Sequence, residues 1–127
     1  MRTIKFRAWI PKLKYFCKHV LFEDGVAVAL RIDDDGFGYP IPADQCVIQQ
    51  YTGLKDSVGV EIYEGDLLEF VYKDDGKLSV GEVQYSEKFA CFIVVVGKAF
   101  ETFSDLAEYT SSFKVVGNIF ESPELLK

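Results

Sequence analysis

A single histidine and three cysteines are all that this 127-residue chain offers to imidazole, thiol and soft-metal chemistry. Cys17, Cys46 and Cys91 are odd in number, scattered, and nowhere in a CxxC spacing. They cannot all pair within one chain and read as free, mostly buried thiols in a reducing compartment. With one His and no paired Cys spacing, no zinc site is expected. Long apolar runs are missing too. The run Ala90 to Val96 falls far short of the roughly 20 residues of a membrane-spanning helix. No apolar h-region with a small-residue cleavage site stands near the start, so no secretory signal is expected. Acids are absent from residues 1–22, which carry Arg2, Lys5, Arg7, Lys12, Lys14 and Lys18.

What is present is apolar and aromatic. A hydrophobic fraction of 49% with 15% aromatics excludes disorder as a class, and the length fits one compact domain over residues 1–127. Beyond residue 22, eight Lys and Arg face twenty acids. Such asymmetry either holds a basic strand against an acidic body or presents a basic face to an acidic partner.

Periodicity places the elements. Residues 2–9 alternate, with Ile4, Phe6 and Ala8 on one face and Thr3, Lys5, Arg7 and Trp9 on the other, which predicts a strand. Ile10-Pro11-Lys12 reads as a turn. Tyr15 to Phe22 reads as one strand, Glu23-Asp24-Gly25 as a hairpin turn, and Val26 to Ile32 as its return. Asp33 to Gly38 is a polar loop, and Pro40 and Pro42 keep the segment around them from being an interior strand. Gln45 to Tyr51 is a short strand. Four more are expected at Leu67–Lys73, Leu78–Ser86, Phe89–Val96 and Phe113–Phe120, the third buried on both faces. Ser104 as N-cap with Asp105 in the first turn predicts a short helix, and Ser122-Pro123 a last helical turn. Strands at this spacing make a mainly β chain whose second half has the rhythm of a small β-barrel.

The densest segment is Tyr51-Thr52-Gly53-Leu54-Lys55-Asp56-Ser57-Val58-Gly59-Val60-Glu61-Ile62-Tyr63-Glu64-Gly65-Asp66. Gly53, Gly59 and Gly65 mark three chain reversals, at least two of them at positive φ, Asp56 suits a turn in which its carboxylate caps the backbone, and Asp66 opens the following strand. Tyr51, Leu54 and Ile62 are expected in the core. The same residues also allow a surface binding loop rimmed by Asp56, Glu61, Glu64 and Asp66. Turn chemistry is the preferred reading, because glycine-bounded turns are common and convergent catalytic sets rare.

Three blocks of this chain resemble the YopX-like family of phage and prophage proteins. They are the basic, aromatic opening Met1 to Trp9, the "QYTGLKD…G.EIYEGD" core within Gln50 to Phe70, and Val115 to Leu126 with its "GNIFESPELL" close. The chain departs from the family pattern after Trp9, where Ile10-Pro11-Lys12-Leu13-Lys14 replaces a polar turn carrying an Asp. The resemblance implies a mainly β fold, an N-terminal β-meander packed on a C-terminal SH3-like small barrel with one or two short helices. It allows a subdivision into residues 1–50 and 60–121, implies the bacterial host cytoplasm, and brings no established activity.

Tests for chemistry return little. Cys17 and His19, at i and i+2 on a strand, would lie roughly 6 to 7 Å apart, beyond the reach of a nucleophile pair. Asp33 at position one of a calcium loop puts Asp35 at three, Gly38 at six and Asp44 at twelve, but Phe37 at five offers no side-chain oxygen. Gly36-Phe37-Gly38 lacks the strand-then-helix context of a phosphate cradle. No catalytic, cofactor or metal residue is expected. The expected function is therefore non-enzymatic, binding another protein or a second copy of the chain without a membrane. The alternative is a nucleic-acid-binding regulator using Lys5, Arg7 and Trp9 as its face, which the acidic balance disfavours. An enzyme using the acidic signature loop ranks third.

Overall fold

The computed structural model describes residues 3–126 and divides into two compact units, the first ending at Tyr51 and the second beginning at Thr52. The first contains β1 (Phe6–Ile10), β2 (Tyr15–Cys17), β3 (Val20–Glu23), β4 (Val26–Ile32), β5 (Gly38–Pro40) and a 3-10 turn at Ala43–Gln45. Strand β6 (Val47–Lys55) runs from the first unit into the second. The second unit holds β7 (Glu61–Tyr63), β8 (Asp66–Tyr72), β9 (Leu78–Ser86), β10 (Cys91–Val96), β11 (Ala99–Thr102), helix α1 (Phe103–Tyr109), β12 (Thr110–Asn118) and a 3-10 turn at Pro123–Leu126. Among the described residues no helix is long and apolar enough to cross a membrane.

In the first unit β1 lies between β2 and the start of β6, and β3, β4 and β5 form an antiparallel meander. The stretch read as one strand from Tyr15 to Phe22 is two. It breaks at Lys18-His19, so that β2 pairs with β1 while β3 pairs with β4. Asp24 and Gly25, both at positive φ (49° and 79°), make the two-residue turn whose twist matches that of the flanking strands. Pro40, which has no N–H to donate, sits on the edge strand β5, where proline is tolerated. The core here is small: Ala8, Ile10, Cys17 and Ala29, with Val20, Ile41, Cys46 and Ile48 packed against it.

The second unit is a five-stranded antiparallel sheet in the order β11-β10-β9-β8-β12, curled into a half-barrel. Edge strand β11 escaped the sequence reading because four residues are too few to show a period. Strand β10 starts at Cys91 rather than Phe89, since Ala90 adopts φ +53° and ends the turn there. Strand β12 stops at Asn118, where the chain turns away from β8. The N-cap of α1 is Thr102, not Ser104: its hydroxyl accepts from the Asp105 N–H, 3.1 Å. Ile62, Leu68, Phe70, Val83, Val94 and Leu106 form the core, with Tyr72, Val96, Phe103, Phe113 and Val115 against it.

Candidate functional site

The signature segment folds as a chain of turns. Gly53, Gly59 and Gly65 take φ of 89°, 89° and 82°. Asp56 lies in the tight turn before β7 and is 7% exposed. One carboxylate oxygen accepts from the N–H groups of Val58 (3.0 Å) and Val60 (2.8 Å), which closes the turn. The other accepts from the Val115 N–H of β12, 2.9 Å away and 59 residues later in sequence. Ser57 extends the clamp, its N–H and Oγ both donating to the Phe113 carbonyl while Oγ accepts from the Phe113 N–H. These bonds fall where the β8–β12 register slips, between Thr110 and Phe113 and between Val115 and Gly117. A slipped ladder orphans backbone donors. Asp56 and Ser57 satisfy two of them. Burial pushes the Asp56 carboxyl up, but backbone N–H donors, with Val115 the strongest, outweigh it and hold the group below the usual carboxylate range.

Asp66 is buried as well, at 3% exposure, and accepts from the Tyr63 N–H at 2.8 Å. It stands opposite Asn118 in the ladder, beside the bond from the Ile119 N–H to the Gly65 carbonyl. Asn118 closes the last turn: its Oδ1 accepts from the Phe120 and Glu121 N–H groups and its Nδ2 donates to the Glu121 carboxylate. Gly117 is needed there for space. A Cβ at that position would come within 2.6 Å of the Ser122 hydroxyl. Two of the four acids read as an alternative rim are thus buried in backbone hydrogen bonds, and Glu61 and Glu64 are half-buried. Leu54, expected in the core, is exposed, because counting by two from the buried Gln49 and Tyr51 puts it on the opposite face of β6. The Ser57 and Asn118 roles went unread. Asn118-x-x-Glu121 after a glycine was the available cue for a side-chain-capped turn, whereas nothing local to Ser57 points 56 residues ahead.

At the N-terminal strand, Arg2 lies outside the described residues and β1 begins only at Phe6. Ile4, expected in the core, is 58% exposed, and Phe6 is half-buried, edge-on to Phe22 with ring centroids 4.9 Å apart. Trp9 is 6% exposed and packs on Phe16. The Arg7 guanidinium lies over the Phe16 ring (4.1 Å) and donates to Gln49 Oε1 (2.9 Å), while the Lys5 ammonium sits 4.9 Å over the Tyr51 ring. The basic residues of this segment thus meet aromatic rings and an amide.

Elsewhere, Cys17 is a buried thiol donating to the Leu30 carbonyl, and it meets His19 through that residue's backbone carbonyl, with the imidazole exposed. Asp33 Oδ1 accepts from the Asp35 and Phe37 N–H groups, an ordinary side-chain-capped loop in which the Phe37 bond holds the carboxyl below its usual range. Among the described residues, no group of three or more His, Cys, Asp and Glu is placed to hold a metal ion.

A family model described as YopX protein matches residues 5–127. The chain belongs to the YopX family. Two solved structures are similar over the whole of both chains: protein EF1440 from Enterococcus faecalis, at 30% identity and a TM-score of 0.67, and protein yopX from Bacillus subtilis, at 20% identity and 0.72. No curated protein matches the chain. Membership in the YopX family gives the Asp56 clamp and the Asn118 turn a structural context: both sit in the segments, Gln50–Phe70 and Val115–Leu126, that carry the family resemblance.

Proposed function

We propose that this protein is a non-enzymatic accessory protein of a phage or prophage, working in the cytoplasm of the bacterial host by binding another protein or a second copy of itself. The phage context rests on the family resemblance, and the compartment on three unpaired thiols, which suit reducing surroundings. The observation that carries the non-enzymatic reading is the state of Asp56 and Asp66. A general acid or base must present its carboxyl to a substrate. Both are buried and accept backbone N–H bonds, so the most chemistry-like residues of the signature hold the fold. A nucleic-acid-binding role for Lys5, Arg7 and Trp9 has less support, since a buried Trp9 offers no face on which to stack a base.

The test is affinity capture of the tagged full chain from phage-infected host cells, alongside light scattering of the pure protein over rising concentration. A stoichiometric protein partner, or a concentration-dependent dimer, is the expected result. A chain that stays monomeric and captures only nucleic acid overturns the reading.

A further inference from the structure

The first unit contains a groove of about 290 Å³ that the signature does not touch. Its floor is Ile10 and Ile41, at the edge of the small core. Its walls come from two hairpins. Ile10 and Tyr15 are cross-strand partners in β1–β2, and Arg31 and Tyr39 are partners in β4–β5. Lys12, from the β1–β2 turn, completes the rim.

Three properties of this groove belong together. It is apolar below and cationic above, in a chain whose formal charge is -6. Its cations are unengaged: Lys12 and Arg31 are exposed, and among the described residues neither forms an ion pair. The nearby Asp33 carboxylate is occupied by the Asp35 and Phe37 N–H groups and by the Tyr39 side chain instead. Finally, the rim is open, with Tyr15 39% and Tyr39 55% exposed. A small-molecule site usually encloses some 70–90% of its ligand. An open groove of this size suits one anchoring side chain of a longer chain lying across the surface, with tyrosines and an arginine of the kind that dominate binding hot spots.

We propose that this groove binds a short acidic peptide segment of a partner protein, seating one aromatic or large aliphatic side chain on Ile10 and Ile41 while flanking carboxylates pair with Lys12 and Arg31. The proposal rests on the protein-binding reading above and adds the site and the partner's chemistry. Arg31 can meet a carboxylate bidentately, whereas Lys12 supplies a point charge, so Arg31 sets orientation and Lys12 adds attraction.

The probe is a fluorescein-labelled Glu-Glu-Phe-Glu-Glu peptide titrated with the full chain by anisotropy. Saturable binding with a Kd on the order of 100 µM or tighter is expected, weakening as salt screens the pairs. The uncharged Gln-Gln-Phe-Gln-Gln and the anchorless Glu-Glu-Ser-Glu-Glu should each bind about tenfold more weakly, as should the Lys12→Gln/Arg31→Gln double variant. A charge-matched Lys77→Gln/Lys98→Gln control should bind as the parent does. Amide shifts on titration should centre on Tyr15, Arg31, Tyr39 and Ile41. Equal binding of the uncharged peptide, shifts centred in the second unit, or no saturation by millimolar peptide overturns the site. If the double variant still captures the same cellular partner as the parent, the groove is not the docking site while the protein-binding reading stands. Loss of all capture by the parent chain defeats that reading first.

Discussion

The second unit buries Phe70, Ile62, Leu68, Leu106, Val83 and Val94 in one cluster, whereas the first clusters only Ala8, Ile10, Cys17 and Ala29 and buries Trp9 and Tyr51 apart from them. Burial of a large side chain contributes roughly 1.5–3 kcal/mol, and an alanine far less. The first unit also leaves Leu21, Phe22, Val26 and Tyr39 more than half exposed. Its strands, apart from β4, run to five residues or fewer before β6, against nine for β9 and β12. Stability and available surface are therefore divided along the chain. The second unit concentrates core and clamp; the first keeps apolar and basic groups on its surface.

The largest expected effect lies in the second unit. Phe70→Ala removes a ring that is 1% exposed and edge-on to Tyr72, and should destabilise by about 3–5 kcal/mol in chemical denaturation. An equal loss from any single truncation in the Ala8–Ala29 cluster would contradict the division. Native-state hydrogen exchange resolves it strand by strand: amides of β8 and β9 should be protected more strongly than those of β3 and β4.

Next is the clamp. Asp56→Asn keeps the shape but loses the charge and one acceptor, leaving backbone donors that two carboxylate oxygens now satisfy. The expected cost is about 2–3 kcal/mol. The sign of its pH dependence follows from the depressed folded pKa. The carboxylate's contribution is fully present above the unfolded value of about 3.9 and is lost as pH falls through the lower folded one. Parent and variant should therefore differ most at neutral pH and converge in strong acid. A difference that grows on acidification would remove Asp56 from the account of the second unit's stability.

Phe6→Ala probes the first unit. The alternation of residues 2–9 predicts a fully inserted ring, for which truncation would cost about 3 kcal/mol. The ring is instead half-buried against Phe22, so about 1–2 kcal/mol is expected. A loss as large as that of Phe70→Ala would show the two cores to be equivalent.

These sites also mark how far the sequence could be read. The mainly β class, β4, the Asp24-Gly25 turn and the short helix near residue 104 were legible because each follows from a local period or a turn residue. The faces of β1 were not. The strand starts four residues later than its alternation, and Trp9, on the face read as mixed, finds Phe16 across the β1–β2 hairpin. The turn at Asp56 was legible from Asp56-Ser57-Val58-Gly59. Its attachment to Val115 and Phe113 was not, because a contact across 56 to 59 residues is decided by tertiary packing and by a register slip that no local period encodes. The Lys12–Arg31 groove joins residues from separate hairpins, so sequence showed only the basic bias of residues 1–22.

The smallest effect compares the two units at the backbone alone. Lys14 in the first unit and Ala90 in the second are non-glycine residues at φ +53°, each in a turn between adjacent strands and each exposed. A left-handed L-residue costs roughly 1–2 kcal/mol, and glycine there relieves it while giving back about 0.4–1 kcal/mol in unfolded-chain entropy. Lys14→Gly and Ala90→Gly should each therefore stabilise by about 0.5 kcal/mol. Because neither change alters the core, the two gains should be alike, although the surrounding cores differ. Amide exchange in β1–β2 and in β9–β10 reads each gain where it arises. If Ala90→Gly stabilises and Lys14→Gly does not, something other than turn strain holds Lys14, and the β1–β2 turn that carries Lys12 is then shaped by more than its own backbone.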